Sequence, residues 1–214
     1  MMTKNSNKIK VFKLFLDKAF PDAKCELTYQ RDYELLIAVV LSAQTTDRAV
    51  NLVTPILFSR FDTLLKLKEA PLADIEDAIR PIGLYRNKAT SVKGIAAMLV
   101  DEFGGVVPSV SSELLRLPGV GNKTRNVIQA ELFSIPTMAV DTHVERISKR
   151  LGIASEKDNP DAIEKKLRRL LEPKDFIKTN HQIIEFGRQV CHARNPQCKT
   201  CVLNDLCKYY RQSA

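Results

Sequence analysis

Four of the five cysteines lie near the C-terminal end with the spacing C-x6-C-x2-C-x5-C: Cys191, Cys198, Cys201 and Cys207. A 214-residue chain can bury an adequate core without disulfides, and the polar N-terminus lacks the apolar segment of a secretion signal. We therefore expect a cytosolic, reduced protein whose clustered thiols hold a metal ion or an iron–sulfur cluster. The spacing matches neither common ferredoxin nor common zinc patterns, so it leaves the metal open. Cys25 is distant and is expected to be an ordinary, partly buried thiol.

A second candidate site is the segment Leu117 to Gly121, Leu-Pro-Gly-Val-Gly. It lies between a predicted short helix at Ser111 to Arg116 with a serine cap and a predicted helix at Asn122 to Phe133. Pro118 ends the first helix, and the two glycines permit backbone angles that other residues resist. Their amides and the dipole of the second helix would make a seat for a phosphate oxygen. Such a hairpin binds a DNA backbone without reading bases. The alternative is a tight turn with no ligand.

Lys123 follows this turn in the first helical turn. A cation is disfavoured at that end of a helix, and a lysine nucleophile needs a neutral amine. The alternative is a lysine that contacts phosphate as a point charge, and the residues alone favour this alternative.

Asp141 follows an apolar connector and precedes a predicted helix at Thr142 to Leu151. Aspartate is a good N-cap. Its carboxylate could also lie beside Lys123, stabilise developing positive charge and shuttle protons. Both roles can hold at once. His143 is expected to be structural or exposed to solvent.

The elements that position these residues are nearly all helical, because apolar residues recur at three- and four-residue spacing and strict alternation is rare. The run from Leu35 to Leu41 is apolar on nearly every side and predicts a central buried helix, with a buried strand as the alternative. Besides the helices named above, the pattern predicts helices at 8–20, 33–44, 48–58, 61–67, 72–79, 87–103, 161–171 and 180–190.

The charge is +8 at pH 7 and is uneven along the chain. Residues 142–214 carry 15 Lys and Arg against 9 Asp and Glu, whereas residues 1–141 carry 18 against 16. A basic C-terminal third suits a polyanion such as nucleic acid, although a merely solvated surface is the alternative. The longest apolar run is far too short to cross a bilayer, so no membrane partner is expected.

In this order, the motifs resemble those of the endonuclease III family of DNA repair enzymes. The resemblance extends over residues 8–210, nearly the whole chain. Besides the cysteine array, the matching stretches are 41–47, 82–85, 117–124 and 139–143.

The resemblance implies an all-α fold of two lobes with a DNA cleft between them. A block of about six helices would span residues 25–135 and include the helix-hairpin-helix at 111–133. The second lobe would combine residues 1–24 with 136–214 and carry a 4Fe–4S cluster on the loop 191–207. The resemblance therefore decides for iron, which the cysteine spacing left open.

The resemblance also implies a bifunctional DNA glycosylase. The Lys123 amine would attack C1′ and displace a damaged base, Asp141 would support the charge change, and the Schiff base would lead to β-elimination 3′ to the lesion. Gln44 would fill the gap left by the extruded nucleotide, and Leu84 would wedge into the stack. Their alternatives are a polar residue that ends a buried helix and an ordinary loop leucine. The remaining DNA contacts would come from Leu117, Gly119, Val120, Gly121, Lys123, Thr124 and Arg194.

The combination of Lys123 with the cysteine array indicates the branch that removes oxidised pyrimidines. Related adenine and thymine-mismatch glycosylases can carry the cysteines but lack the lysine, and 8-oxoguanine glycosylases with the lysine usually lack the cysteines. The expected partner is double-stranded DNA with damaged bases or abasic sites, bound by a monomer in the cytoplasm at the nucleoid. Two alternatives remain: a non-catalytic helix-hairpin-helix DNA-binding protein with a structural cluster, and a zinc-bearing structural or regulatory protein.

Overall fold

A computed structural model describes residues 4–213 of the chain. The described residues form α-helices, short 3₁₀ turns and connecting loops, with no β-strand among them. This confirms the all-α prediction. The helices are α1 (Lys4–Ala19), α2 (Asp32–Leu41), α3 (Asp47–Arg60), α4 (Leu64–Glu69), α5 (Leu72–Ala78), α6 (Tyr85–Glu102), α7 (Ser111–Leu114), α8 (Asn122–Phe133), α9 (Thr142–Leu151), α10 (Pro160–Leu170), α11 (Phe176–Gln189) and α12 (Lys208–Ser213).

The chain divides into two compact units. One unit is continuous, spans Glu26–Phe133 and contains α2 to α8. The other combines the N-terminal segment up to Cys25 with the chain from Ser134 onward, and it contains α1 and α9 to α12. We call the first the continuous unit and the second the discontinuous unit.

The continuous unit is built around α2. Every residue from Leu35 to Leu41 is at most 4% exposed, because α2 packs against α3, α6 and α8. A strand this apolar would need partner strands, whereas a helix satisfies its backbone internally. The Glu34 carboxylate caps the start of α2 by accepting hydrogen bonds from the amides of Gln30 and Arg31 at 2.8 and 3.3 Å. The long helix α6 packs against α4, α5 and α2 and so borders most of the unit.

The discontinuous unit has a separate apolar core, formed where α1 packs against α10 and α11 and α9 packs against α11. Three rings of the N-terminal segment, Phe12, Phe15 and Phe20, meet Phe186 of α11 edge to face with centroids 5.6 to 6.3 Å apart. Burial of a phenylalanine side chain stabilises a fold by about 1.5–3 kcal/mol. These ring contacts therefore hold the N-terminal segment against the C-terminal part of the chain.

Several predicted helix ends differ from the structure by one to four residues, and two of them have a clear local cause. Helix α2 ends at Leu41 rather than Gln44, because the Ser42 hydroxyl donates to the Val39 carbonyl at 2.9 Å and the chain then turns. Helix α11 begins at Phe176 rather than Asn180, after a 3₁₀ turn at Pro173–Asp175.

A serine cap for the first hairpin helix was also expected, and this was wrong. The N-cap of α7 is Val110, which makes no side-chain cap bond. The Ser111 hydroxyl instead accepts a hydrogen bond from Gln129 Nε2 at 3.1 Å, so Ser111 ties α7 to α8. The helix is a single turn of four residues.

Within residues 4–213, no helix combines the length and apolarity needed to cross a membrane.

Candidate functional site

The turn between α7 and α8 packs tightly against the rest of the continuous unit. The side chains of Leu117 and Val120 are 2% and 8% exposed, so they anchor the turn and only its backbone faces outward. Gly119 has φ +78°, and a Cβ atom placed on it would lie 3.0 Å from Val40 Cγ1 and 3.1 Å from Ser91 Oγ. Both the left-handed backbone and the lack of space therefore require glycine here.

The amides beside this turn point to where a phosphate could bind. The first backbone hydrogen bond of α8 runs from the Arg125 amide to the Gly121 carbonyl at 2.9 Å, so residues 122–124 form the open N-terminal end of the helix. The Val120 amide is already used, because it donates to the Leu117 carbonyl at 3.1 Å. Of the predicted contacts, Gly121, Lys123 and Thr124 therefore offer the helix-end amides.

Lys123 is the second residue of α8, and its side chain is exposed. Within the described part of the chain its amine has no hydrogen-bond or ion-pair partner. Its neighbour Arg125 is held differently, since its guanidinium donates to Asn126 Oδ1 at 2.8 and 3.2 Å. The lysine amine is thus the available nitrogen at the start of the helix.

Asp141 is the N-cap of α9 in the discontinuous unit. Its Oδ1 atom accepts hydrogen bonds from the amides of His143 and Val144 at 2.9 and 2.8 Å. This confirms the predicted capping role. The cap uses Oδ1 and leaves Oδ2 outside it, so the same carboxylate can serve a second purpose.

His143 is half-buried beside this cap. Its Nδ1 atom lies 3.1 Å from Arg146 Nη2, and since a guanidinium can only donate, Nδ1 must accept. Burial lowers the pKa of His143, the charges of Arg146 and Arg188 lower it further, and the Asp141 charge opposes the change. The imidazole is therefore held neutral, in keeping with the expected structural role.

The four clustered cysteines, Cys191, Cys198, Cys201 and Cys207, line one cavity together with apolar and a few polar side chains. All four are half-buried and are not in disulfides, and the same holds for Cys25 in another part of the chain. Burial raises the pKa values of the Cys198 and Cys201 thiols, and the neighbouring cysteines add to the effect. Among residues 4–213, no three Cys, His, Asp or Glu side chains converge on one metal ion. The four cysteines all line the same cavity, and thiolates are the usual ligands of iron–sulfur clusters.

Two arginines of α9 hold the start of the cysteine loop. Arg146 donates to the carbonyl of Cys191 at 3.0 and 3.2 Å and to that of Gly187 at 3.1 Å. Arg150 donates to the carbonyls of His192 and Ala193 at 2.6 and 3.0 Å and approaches Cys191 Sγ at 3.4 Å.

Our sequence reasoning missed both arginines. Their signal was available, because their i,i+4 spacing puts them on one face of the predicted helix. Arg194, the predicted phosphate contact on the loop, is exposed and precedes Asn195, which has φ +51°.

Gln44 and Leu84, the predicted inserting residues, both belong to the continuous unit. Each is exposed and has a left-handed backbone, with φ +55° and +58°. Leu84 is 56% exposed and is also the N-cap of α6. Positive φ is uncommon for residues other than glycine and is costly for leucine, so both turns are specifically stabilised.

Comparisons with known proteins agree with these features. The family described as HhH-GPD superfamily base excision DNA repair protein matches residues 37–173, and the iron-sulfur binding domain of endonuclease III matches residues 191–207. Endonuclease III of Bacillus subtilis is 44% identical over 94% of this chain and 93% of its own length. Endonuclease III of Escherichia coli is 38% identical over 88% of this chain and 89% of its own.

Solved structures give the same result. A trapped endonuclease III–DNA covalent intermediate has a TM-score of 0.95 and 46% identity, with coverage of 100% of this chain and 99% of its own. A thermostable thymine-DNA glycosylase, at 24% identity and a TM-score of 0.87 over 98% and 100% of the two chains, shows the shared fold alone.

The hairpin, the capped aspartate and the thiol-lined cavity thus occur in a chain that matches both family models. The chain therefore belongs to the endonuclease III family of base-excision-repair DNA glycosylases, and its four clustered cysteines form the iron–sulfur binding domain of that family.

Proposed function

We propose that this enzyme removes oxidised pyrimidines from double-stranded DNA and then cleaves the abasic site through a Schiff base on Lys123. The observation that carries the proposal is the Lys123 amine. It is exposed and unpaired among the described residues, and it lies at the positive end of α8 directly after the hairpin. An exposed amine without an ion-pair partner among the described residues is free to reach a sugar carbon, and a lysine amine is the nucleophile this reaction needs.

The reaction begins when the damaged nucleotide leaves the base stack. The Lys123 nitrogen bonds to C1′, and the glycosidic bond breaks with its electron pair going to the base, which is protonated as it departs. The amine loses a proton and the sugar ring opens to an imine between lysine and C1′. The imine acidifies the C2′ hydrogen, and loss of that proton expels the 3′ phosphate oxygen. Water then hydrolyses the imine and releases the enzyme.

Asp141 is the proposed electrostatic partner of Lys123 in this reaction. Positive charge develops on the nitrogen and the sugar as the base departs, and a carboxylate stabilises it. Its Oδ1 atom is committed to the α9 cap, which fixes the orientation of the group. The remaining oxygen, Oδ2, is the one we assign to proton transfer.

DNA binding in this proposal uses several weak contacts. The amides at the start of α8 bind a phosphate, Gln44 fills the space of the extruded nucleotide, and Leu84 enters the stack. The 4Fe–4S cluster, when bound to the four cysteines, shapes the loop that presents Arg194 to a second phosphate. We propose that the enzyme does this as a monomer, in the cytoplasm at the nucleoid.

Borohydride trapping tests the nucleophile. Reduction of the imine should yield a covalent complex between the wild-type enzyme and an oxidised-pyrimidine duplex, and Lys123→Ala should yield none. Lys123→Arg is the sharper variant, because it keeps a positive charge for phosphate but cannot form the imine. If Lys123→Arg still nicks DNA, the lysine is only a phosphate contact. If the wild-type enzyme binds damaged DNA without cleavage, the non-catalytic alternative is correct.

The lesion class needs its own assay. Duplexes that each hold one defined lesion (an oxidised pyrimidine, 8-oxoguanine or a thymine mismatch) should be cleaved in that order of preference, with the first far ahead. A preference for 8-oxoguanine or the mismatch would overturn the assignment to oxidised pyrimidines while leaving the lysine chemistry intact.

A further inference from the structure

One face of α6 contacts three segments to which the proposed function assigns DNA binding. Leu84 is the N-cap of this helix. Lys88, one turn later, reaches the loop that carries Gln44. Two further residues on the same side, Ser91 and Gly94, contact the hairpin before α8. All of these residues belong to the continuous unit, so their mutual arrangement is fixed within one compact body.

Lys88 makes the link between the two proposed inserting residues. Its ammonium donates to the Thr45 hydroxyl at 2.6 Å, and Thr45 directly follows Gln44. Its own backbone amide donates to the Leu84 carbonyl at 3.1 Å. One residue thus holds the Gln44 turn through its side chain and the Leu84 turn through its main chain.

Both turns need such support. Gln44 and Leu84 adopt left-handed backbones, at a cost of about 1–2 kcal/mol for a residue with a Cβ atom. Such conformations persist only where the surrounding structure fixes them. Local bonds of the Gln44 turn run from the Thr45 amide to the Ser42 carbonyl at 3.1 Å and from the Thr45 hydroxyl to the Ala43 carbonyl at 3.4 Å. The bond from Lys88 reaches the same turn from 43 residues away and holds it against α6.

The choice of lysine at position 88 is not explained by packing. The residue is only 5% exposed, and burial lowers the pKa of its amine. A methionine or leucine would fill the same space without desolvation of a polar group. The amine must therefore contribute something that an apolar side chain cannot, and the hydrogen bond to Thr45 is what the structure shows it contributing.

The other end of this face places α6 against the hairpin. A Cβ atom on Gly94 would lie 2.9 Å from Pro118 Cγ, and one on Gly119 would lie 3.1 Å from Ser91 Oγ. These contacts leave no room for α6 to slide along the turn. A group held by Lys88 is thereby held at a fixed distance from the start of α8, where the proposed nucleophile lies.

We propose that Lys88 is a positioning residue that fixes the spacing between Gln44 and Leu84, so that both enter the base stack together when the damaged nucleotide leaves it. This inference rests on the proposed roles of Gln44 and Leu84. It concerns the distortion of DNA and not the chemical step, so the two can be tested apart.

The test uses a duplex with 2-aminopurine beside a tetrahydrofuran abasic analogue, which cannot form an imine. The fluorescence of 2-aminopurine rises when the base unstacks, so it reports insertion without any reaction. Full-length, cluster-loaded Lys88→Met and Thr45→Val remove the two ends of the hydrogen bond with little change in volume. Lys93→Met is the matched control, because Lys93 lies on the same helix but donates to the Ala70 carbonyl.

We expect Lys88→Met to reduce the fluorescence rise and to slow base removal from duplex DNA by about 10- to 100-fold, the scale of a misplaced reacting group. Thr45→Val should act in the same direction, and the double variant should be no worse than Thr45→Val alone, since Lys88→Met removes only a bond that Thr45→Val has already removed. Nicking of an abasic site in a single strand, which needs no extrusion, should be retained. Lys93→Met should match the wild-type enzyme in every assay.

Three results would overturn the inference. An unchanged fluorescence rise in Lys88→Met would show that insertion does not depend on it. Additive effects in the double variant would show that Lys88 and Thr45 act separately. A reduced salt dependence of binding in Lys88→Met alone would identify a phosphate contact instead. Failure of borohydride trapping by the wild-type enzyme would sink the proposed chemistry, and the fluorescence result would still stand on its own.

Discussion

Gly94 of α6 and Pro118 of the hairpin are in such close contact that a single methyl group does not fit between them. A Cβ atom on residue 94 would lie 2.9 Å from Pro118 Cγ, a distance that real Cβ contacts essentially never show. The helix and the turn before α8 are therefore joined at a point where only glycine is tolerated.

The first prediction follows from this contact. Gly94→Ala improves helix propensity by about 1 kcal/mol, but it overpacks the contact at a cost of typically 1–3 kcal/mol. We expect Gly94→Ala to lower the free energy of unfolding and to weaken the binding of DNA, because the hairpin must shift. Chemical denaturation and the affinity for an abasic duplex measure the two effects.

Gly83→Ala is the control for this change, since a Cβ atom there meets nothing within 4 Å. Its stability should stay within about 0.5 kcal/mol of the wild-type value, as for most surface substitutions. A Gly94→Ala protein that is more stable than the wild type would contradict the overpacking argument.

The second prediction separates the two roles of Asp141. Asp141→Asn keeps an oxygen that can accept from the amides of His143 and Val144, and asparagine is as good an N-cap as aspartate. We expect near-normal stability but a loss of base-removal rate of about 10²–10⁴-fold, the usual contribution of acid–base catalysis. Single-turnover kinetics and thermal unfolding give the two values.

Asp141→Ala is the companion variant, because it removes both the cap and the charge. It should lose the same activity and also about 1 kcal/mol of stability. Full activity in Asp141→Asn would show that the carboxylate is only a cap.

The third prediction concerns pH. The pKa of His143 lies below its ordinary value of 6.5 because of burial, then the charges of Arg146 and Arg188, against the opposing charge of Asp141. The unfolded chain therefore takes up its proton first as pH falls, and protonation favours the unfolded state. The stability that the neutral imidazole contributes is present above pH 6.5 and is lost as pH falls through the folded pKa.

His143→Gln should reduce this acid dependence, because glutamine can still accept a hydrogen bond from Arg146 but does not titrate. Free energies of unfolding measured from pH 8 down to pH 5 should fall less steeply in the variant than in the wild type. Identical slopes for the two proteins would show that His143 does not contribute to the pH dependence.

The fourth prediction concerns Arg146, which donates to the carbonyls of Cys191 and Gly187. Arg146→Leu leaves both acceptors without this donor, at a cost of about 1–3 kcal/mol for each one that stays buried. We expect lower thermal stability and faster loss of the brown iron–sulfur absorbance on dilution into chelator.

Lys149→Leu is the matched control on the same helix, since among the described residues Lys149 pairs only with Glu145, in a half-buried i,i+4 contact away from the cysteine loop. Such pairs contribute about 0.3–0.5 kcal/mol, so the absorbance should decay as in the wild type. Equal decay in the Arg146 and Lys149 variants would contradict the anchoring role.

Much of this molecule could be predicted from local pattern. The 3.6-residue period identified α8 and α9 with their observed bounds, because each is a regular amphipathic helix with a clear start signal. The Asp141 cap followed from residue type and position alone. The family resemblance supplied the assignment of iron to the cysteine loop, which spacing had left open.

What the sequence did not reveal depends on contacts distant along the chain. Nothing near Gln44 indicates a left-handed backbone, because the turn is held by Lys88, 43 residues away. The spacing of Arg150 places it on one helix face with Arg146, but the carbonyls that it binds belong to the cysteine loop, which folds back onto α9. Such pairings are set by tertiary structure, which local propensity does not encode.

The dependence of the cysteine loop on α9 has a practical consequence for anyone who would redesign this protein without iron. Simple replacement of the four cysteines by alanine or serine would leave Arg146 and Arg150 bound to the start of a loop whose remainder no longer has a cluster to hold it. The same ten-residue helix, α9, begins with the Asp141 cap. Loss of order at its C-terminal end would therefore be transmitted along the helix backbone to the Asp141 carboxylate. A metal-free scaffold would have to replace the arginines together with the sulfurs, and repack the emptied interior as one unit.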